Sequence, residues 1–229
     1  MDNKAKNKKT LIVIARALGE LKDDVVFVGG TVVDFYANDP AAEEIRETKD
    51  IDFVMVIVTF SKLEELRQKL IEKGFTQSHE DDVTCRFRYQ EILVDVMSIK
   101  QVGWAPSSPW FESGLSNTCN IKIDGTNIRI LSLPFYLATK FSAFQDRGSE
   151  DPFISHDLED IVYIINNRTD FVDVLRSGPP DVLSYLKNQF KNLLESATLR
   201  EAIEGNLEYT HREERFQTIV QKLKQIINY

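Results

Sequence analysis

The stretch Thr48-Lys-Asp-Ile-Asp-Phe-Val-Met-Val-Ile-Val58 sets two carboxylates at the entrance of an apolar run, and its reading decides the fold. Ile51 to Val58 has the β-branched and aromatic content of a strand. Side chains of a strand alternate between faces, so Asp50 and Asp52 project to the same side. Two carboxylates a few ångströms apart repel by roughly 4 kcal/mol at an effective dielectric of about 20, which favours a cation between them. An all-oxygen donor set suits magnesium or manganese. The plainer reading is a pair of solvated strand-edge residues, and the surrounding sequence has to decide.

Towards the amino terminus, Val25 to Val28 reads as a short strand ending in Gly29-Gly30, with a predicted helix behind it. Backbone N–H groups at such a turn, backed by a helix dipole, can cradle phosphate. Towards the carboxyl terminus, Asp95 is embedded in the apolar run Ile92-Leu-Val-Asp-Val-Met97, where a carboxylate needs either a partner or a function. Val83 to Tyr89 and Ile92 to Ile99 are expected to pair across Gln90-Glu91, and Cys119 to Ile123 with Asn127 to Leu131 across Asp124-Gly125. Arg86 and Arg88 flank Phe87 and share a strand face, where one reaches a nucleotide or both meet solvent.

Residues 61–73 read as a helix with Ser61 as N-cap, Glu64 completing a capping box and Gly74 as the stop. From residue 132 the pattern is helical, with segments expected at 134–147, 155–167, 180–195 and 210–228, the last opened by a Thr210-x-x-Glu213 capping box. The expected class is therefore α+β: a small mixed-sheet lobe over 1–131 and a helical bundle lobe over 132–229.

Composition narrows the function. The 36 acidic and 28 basic residues leave a net charge of -8, which argues against a long nucleic-acid groove but not against a local basic patch. Cys85 and Cys119 stand alone, with neither zinc nor disulfide spacing. Lys4, Lys6, Lys8 and Lys9 precede an apolar stretch interrupted by Arg16, Glu20, Lys22, Asp23 and Asp24, which suits an amphipathic helix better than a signal peptide. No run approaches the roughly 20 apolar residues of a membrane span, so a soluble, cytoplasmic protein without a membrane partner is expected.

In order along the chain, Phe27-Val-Gly-Gly-Thr31, Thr48-Lys-Asp-Ile-Asp52 and Leu93-Val-Asp-Val-Met97 form a Gly-Gly turn, an Asp-x-Asp strand and a third carboxylate on a later strand. In these the chain resembles the DNA polymerase β superfamily of nucleotidyltransferases. Leu137-Ala-Thr-Lys-Phe141, Gln145-Asp-Arg-Gly148 and Ser155-His-Asp-Leu-Glu-Asp160 resemble its bacterial AbiEii/AbiGii-toxin-like group, and the likeness spans nearly the whole chain. The stretch from Gly30 to Asp50, with Asn38-Asp39-Pro40, is longer than the superfamily's minimal pattern and reads as a loop or helix extension.

The resemblance implies transfer of a nucleoside monophosphate from an NTP to an acceptor hydroxyl, with pyrophosphate leaving. It implies Mg2+ or Mn2+ on Asp50, Asp52 and Asp95, with Asp95 either a ligand or the general base. Gly29, Gly30, Thr31 and Arg86 fall in the implied nucleotide site. Lys140 and Arg147, seven residues apart on one predicted helix, share a face and offer cations to phosphate, the alternative being a solvated basic face. Lys140 also joins the implied catalytic set, while Asp157 and Asp160 stand ready to orient either cation by salt bridges. His156 reads as a capping residue, and Trp104 and Trp110 either stack on a base or pack locally. The acceptor is RNA, in a toxin with an antitoxin partner, or a small hydroxylated molecule. A non-catalytic nucleotide-binding module is the third reading, disfavoured because a degenerate site is free to lose mutually repelling charges.

Overall fold

The chain, described over residues 2–42, 44–78, 81 and 85–229 of a computed structural model, divides into two units, Met1–Val32 with Glu44–Ser132 and Val33–Glu43 with Leu133–Tyr229. The first unit carries a six-stranded mixed sheet in the order β3-β4-β2-β1-β6-β5. Its strands are β1 (Val26–Val28), β2 (Asp50–Met55), β3 (Arg86–Tyr89), β4 (Ile92–Ser98), β5 (Thr118–Ile123) and β6 (Thr126–Leu131). The central pairings β2 with β4 and β1 with β6 are parallel, and the remaining three are antiparallel. Residues 83 and 84 of the expected third strand lie outside the described residues.

Burial alternates at the start of β2, while β1 is buried throughout. Ile51 and Phe53 of β2 are buried, and Phe53 meets Phe27 of β1 edge-on at 6.2 Å. Helix α1 (Asn3–Leu18) buries Leu11, Ile14 and Leu18, spaced as one helical face requires. The β5–β6 connection has Asp124 at φ 46° and Gly125 at φ 78°, the two successive positive angles of a hairpin turn that matches strand twist. Helix α2 (Phe60–Glu72) starts one residue earlier than expected, because Thr59 and not Ser61 accepts the capping bond, from Lys62 N at 3.3 Å. Glu64 accordingly closes no capping box. It accepts from Arg67 and from the Trp104 indole. A short helix α3 (Phe111–Leu115) precedes β5.

The second unit is helical: α4 (Leu133–Ala143), α5 (His156–Asn167), α6 (Phe171–Arg176), α7 (Pro180–Glu195), α8 (Ala197–Gly205) and α9 (Arg212–Ile227). Its core includes Phe141, Phe171 and Phe190, with Phe190 5.7 Å from the first ring and 6.0 Å from the second. Helix α4 does not run to 147 as an α-helix but passes into a π-helical turn over Phe144–Gly148. The Thr210 capping box is absent, since Tyr209–His211 forms a 3-10 turn and His211 stands at the N-cap of α9 without a side-chain bond. Lys222 of α9 donates to the carbonyls of Ile165, Asn166 and Arg168, satisfying the carboxyl end of α5. Segment 33–43 belongs here because Asn38 accepts from Thr169 N at 2.7 Å and Arg168 donates to Tyr36 O at 2.9 Å. Among the described residues no helix is long and apolar enough to cross a membrane.

In the first unit, Asn7 is only 2% exposed and fixes the segment that leads into β2. Its Nδ2 donates to Arg46 O at 3.0 Å, and its Oδ1 accepts from Thr48 N at 3.1 Å and from Thr48 Oγ1 at 3.3 Å. Asn7→Ala should cost about 1–3 kcal/mol, the penalty for leaving buried backbone groups unpaired, and thermal unfolding followed by circular dichroism measures it.

Candidate active site

Parallel pairing of β2 with β4 sets Asp52 opposite Asp95 and Asp50 opposite Leu93. Residues opposite each other on paired strands face the same way, so Asp50, Asp52 and Asp95 share one face of the sheet. On the other flank of β2, Val28 is the partner of Asp52, which brings the chain beyond β1 beside the carboxylates. Gly29 has φ +72°, and a Cβ there would collide with the Asp52 carboxylate. A Cβ at Gly30 would meet the Arg46 guanidinium and the Thr48 methyl. Thr31 is buried and donates to Asp50 O at 2.9 Å, with Thr48 Oγ1 at 3.1 Å. The helix after the turn, Gly30–Tyr36, is a seven-residue 3-10 helix, too short to supply the dipole expected behind the glycines.

Arg86 supplies a cation on this face. It pairs with Asp95 across the β3–β4 ladder, donating Nε to Oδ1 at 2.8 Å and Nη2 to Oδ2 at 2.7 Å, and its Nη2 also reaches Asp50 Oδ2 at 3.4 Å. The bond to Asp95 is the main reason that the guanidinium is held charged more firmly than an ordinary arginine. Next to it, burial and the Asp95 charge push the Cys85 thiol up to about 12, which keeps it a neutral thiol beside the carboxylates. Arg88 turns to Asp81 through Nε at 3.0 Å and Nη2 at 2.6 Å. Trp104 packs edge-on against Phe87 at 5.7 Å.

Three carboxylates on one face offer the oxygen donors that a hard divalent ion takes, and the guanidinium between Asp50 and Asp95 shows that the face accepts positive charge. Among the described residues, however, no three Asp, Glu, His or Cys side chains are gathered as they stand around a metal ion. Both Asp95 oxygens are instead engaged by Arg86.

The second unit gathers the other candidates. Lys140 of α4 is 6% exposed and donates to Asp157 Oδ1 at 3.1 Å and to Asp160 Oδ2 at 2.5 Å, both on α5. From the π-helical turn, Arg147 donates to Asp157 Oδ2 at 2.9 Å and Oδ1 at 3.2 Å, while its side chain stays 70% exposed. Burial alone would raise the Asp157 pKa, but Lys140 and Arg147 outweigh it and hold the carboxyl below its usual range. Ser155 caps α5 by accepting from Leu158 N, and His156 sits in the first turn against Glu159 at 3.0 Å. Lys140 also lies 5.9 Å from the Tyr136 ring, which stacks on Tyr36.

Two residues that shape the first unit, Arg46 and Asn7, are not singled out by the sequence reading. For Arg46 a signal exists: Arg46, Thr48, Asp50 and Asp52 recur at every second position. For Asn7, a polar residue inside an amphipathic helix, there is none.

A family model described as nucleotidyl transferase AbiEii toxin of a type IV toxin–antitoxin system matches residues 12–225. Among solved structures, an antigenic nucleotidyltransferase-like protein from Paracoccidioides brasiliensis superimposes with a TM-score of 0.53 at 17% identity, over 91% of this chain and 96% of that one, a likeness of fold. No curated protein matches the sequence.

Removing Lys140 leaves two buried carboxylates short of their cation, so Lys140→Ala should cost about 3–5 kcal/mol of stability. Arg147→Ala, at an exposed position, should cost at most about 1 kcal/mol, and chemical denaturation of both variants checks the contrast. Because the folded pKa of Asp157 is lowered, its contribution is complete above the unfolded value of about 3.9 and is lost as pH falls through the folded value. Asp157→Asn should flatten that acid limb of the stability profile.

Proposed function

The chain belongs to the AbiEii nucleotidyltransferase family, and from that premise we propose that it transfers a nucleoside monophosphate from an NTP to an acceptor hydroxyl at the face bearing Asp50, Asp52 and Asp95. The observation that carries this reading is the in-register pairing of Asp52 with Asp95 next to the Gly29-Gly30-Thr31 turn. In the proposal Asp50, Asp52 and Asp95 hold Mg2+ or Mn2+. When bound, the ion neutralises triphosphate charge and lowers the pKa of the acceptor hydroxyl. Arg86 keeps Asp95 aligned in its absence and gives up carboxylate oxygens for phosphate oxygens as the nucleotide enters, an exchange that keeps its charge-assisted bonds. Asp95 serves as metal ligand or takes the acceptor proton. Gly29 and Gly30 let the nucleotide approach the backbone closely.

Lys140, Arg147, Asp157 and Asp160 enter the proposal as a second nucleotide-binding set. Arg147 supplies its accessible charge, Lys140 fixes Asp157, the aspartate that holds it, and Asp160 secures Lys140 from the other side.

For the acceptor we favour RNA, in a cytoplasmic protein with an antitoxin partner; the family's description supports the toxin–antitoxin part of that reading. The net charge of -8 favours a second reading, a small hydroxylated acceptor, because an acidic chain gains little from a polyanion. Incubation with each α-labelled NTP and Mg2+ or Mn2+, once with total RNA and once with an extract of small molecules, separates the two. Label in neither fraction overturns the proposed transfer. Asp52→Asn should lower the labelling rate by more than about a hundredfold, and EDTA should abolish labelling in the wild type. The Asp52→Asn melting temperature should stay within about 4 °C of the wild type, since the change relieves like-charge repulsion. Undiminished labelling by this variant is the outcome that sinks the metal role of Asp52.

A further inference from the structure

We infer that Arg46 grips the triphosphate chain of the incoming nucleotide at the Gly29-Gly30 turn, an inference that rests on the nucleotidyl-transfer reading of that site and adds to it a determinant of triphosphate over monophosphate binding. The guanidinium of Arg46 lies against the backbone of Gly30, in the volume that any side chain at position 30 would fill. Gly30 itself has no positive φ, so its backbone does not demand glycine; a side chain there would displace the Arg46 guanidinium from the turn and press on the Thr48 methyl.

The backbone at Arg46 is held from below. Asn7, nearly fully buried, accepts from Thr48 N and donates to Arg46 O, so the peptides on both sides of Glu47 are anchored to α1. Thr48 is tied in turn to Thr31 Oγ1, the residue after the turn. These backbone bonds fix the point from which the Arg46 side chain leaves the chain beside the turn.

Charge gives the reason for a cation here. Three carboxylates share the face, and Arg86, which pairs with Asp50 and Asp95, brings a single positive charge to them. A triphosphate entering beside Asp52 adds several more negative charges, and the guanidinium lying on the turn has the planar fork geometry that phosphate oxygens match. The contact belongs to the outer phosphates, because a nucleoside monophosphate keeps only the group that reacts.

The experiment uses the full chain with Mg2+ and two sets of probes: α,β-methylene NTP analogues, which resist transfer, and the corresponding nucleoside monophosphates. Equilibrium dialysis gives both affinities for the wild type, Arg46→Gln and Arg46→Lys. Arg46→Gln should weaken the triphosphate analogue by about tenfold to a hundredfold while leaving the monophosphate within about twofold, and Arg46→Lys should recover part of the loss. The ratio of the two affinities is insensitive to a general loss of folded protein, so it remains decisive if Arg46→Gln lowers the melting temperature. An unchanged ratio in Arg46→Gln overturns the inference and leaves the transfer reading standing. A wild type that binds none of the probes overturns both.

Discussion

Everything at the site depends on one constraint, the register in which β2 pairs with β4. It sets Asp52 beside Asp95 on neighbouring strands of one sheet, with Asp50 one pleat away. Like charges in such proximity are unfavourable, and the fold answers with Arg86, brought opposite Asp95 by the β3–β4 hairpin. A slip of one residue between β2 and β4 would turn Asp95 to the other face and put Val94 or Val96 among the carboxylates. The apolar neighbours of Asp95 therefore do more than fill the core. Buried Val94 and Val96 make that slip costly and so fix where the charges stand.

Features with short-range causes were legible in the sequence. The common face of Asp50 and Asp52 follows from strand periodicity alone, and the Asp124-Gly125 turn from the positive φ that its residues tolerate. Features decided by competition between neighbours were not. Thr59 and Ser61 are both competent caps, and α2 uses the first, which accepts from Lys62 N. Helices α6 and α8, with 6 and 9 residues, are too short for a period to show. That Arg86 and not Arg88 joins the carboxylates depends on the pairing partner of each, which is a long-range matter.

The two ionic clusters differ in kind. Around Asp95 the charges sit on a partly open sheet face, where a cation can be exchanged. Around Lys140 they are buried among helices, where exchange would strand a charge in low dielectric. A single exposed member, Arg147, is held out by the π-helical turn, an irregularity of the kind that recurs at functional sites. The first cluster suits chemistry that admits and releases charged groups, and the second suits a rigid mount for one guanidinium.

The passage of residues 33–43 into the helical unit bears on how the protein is made. Tyr36 and Asn38 bond to residues 168–170, more than a hundred positions later in the chain. At roughly 5–20 residues per second on the ribosome, this segment waits on the order of ten seconds for its partners. The helical unit therefore completes itself only late in synthesis, and a nascent chain released early lacks the residues that segment 33–43 binds.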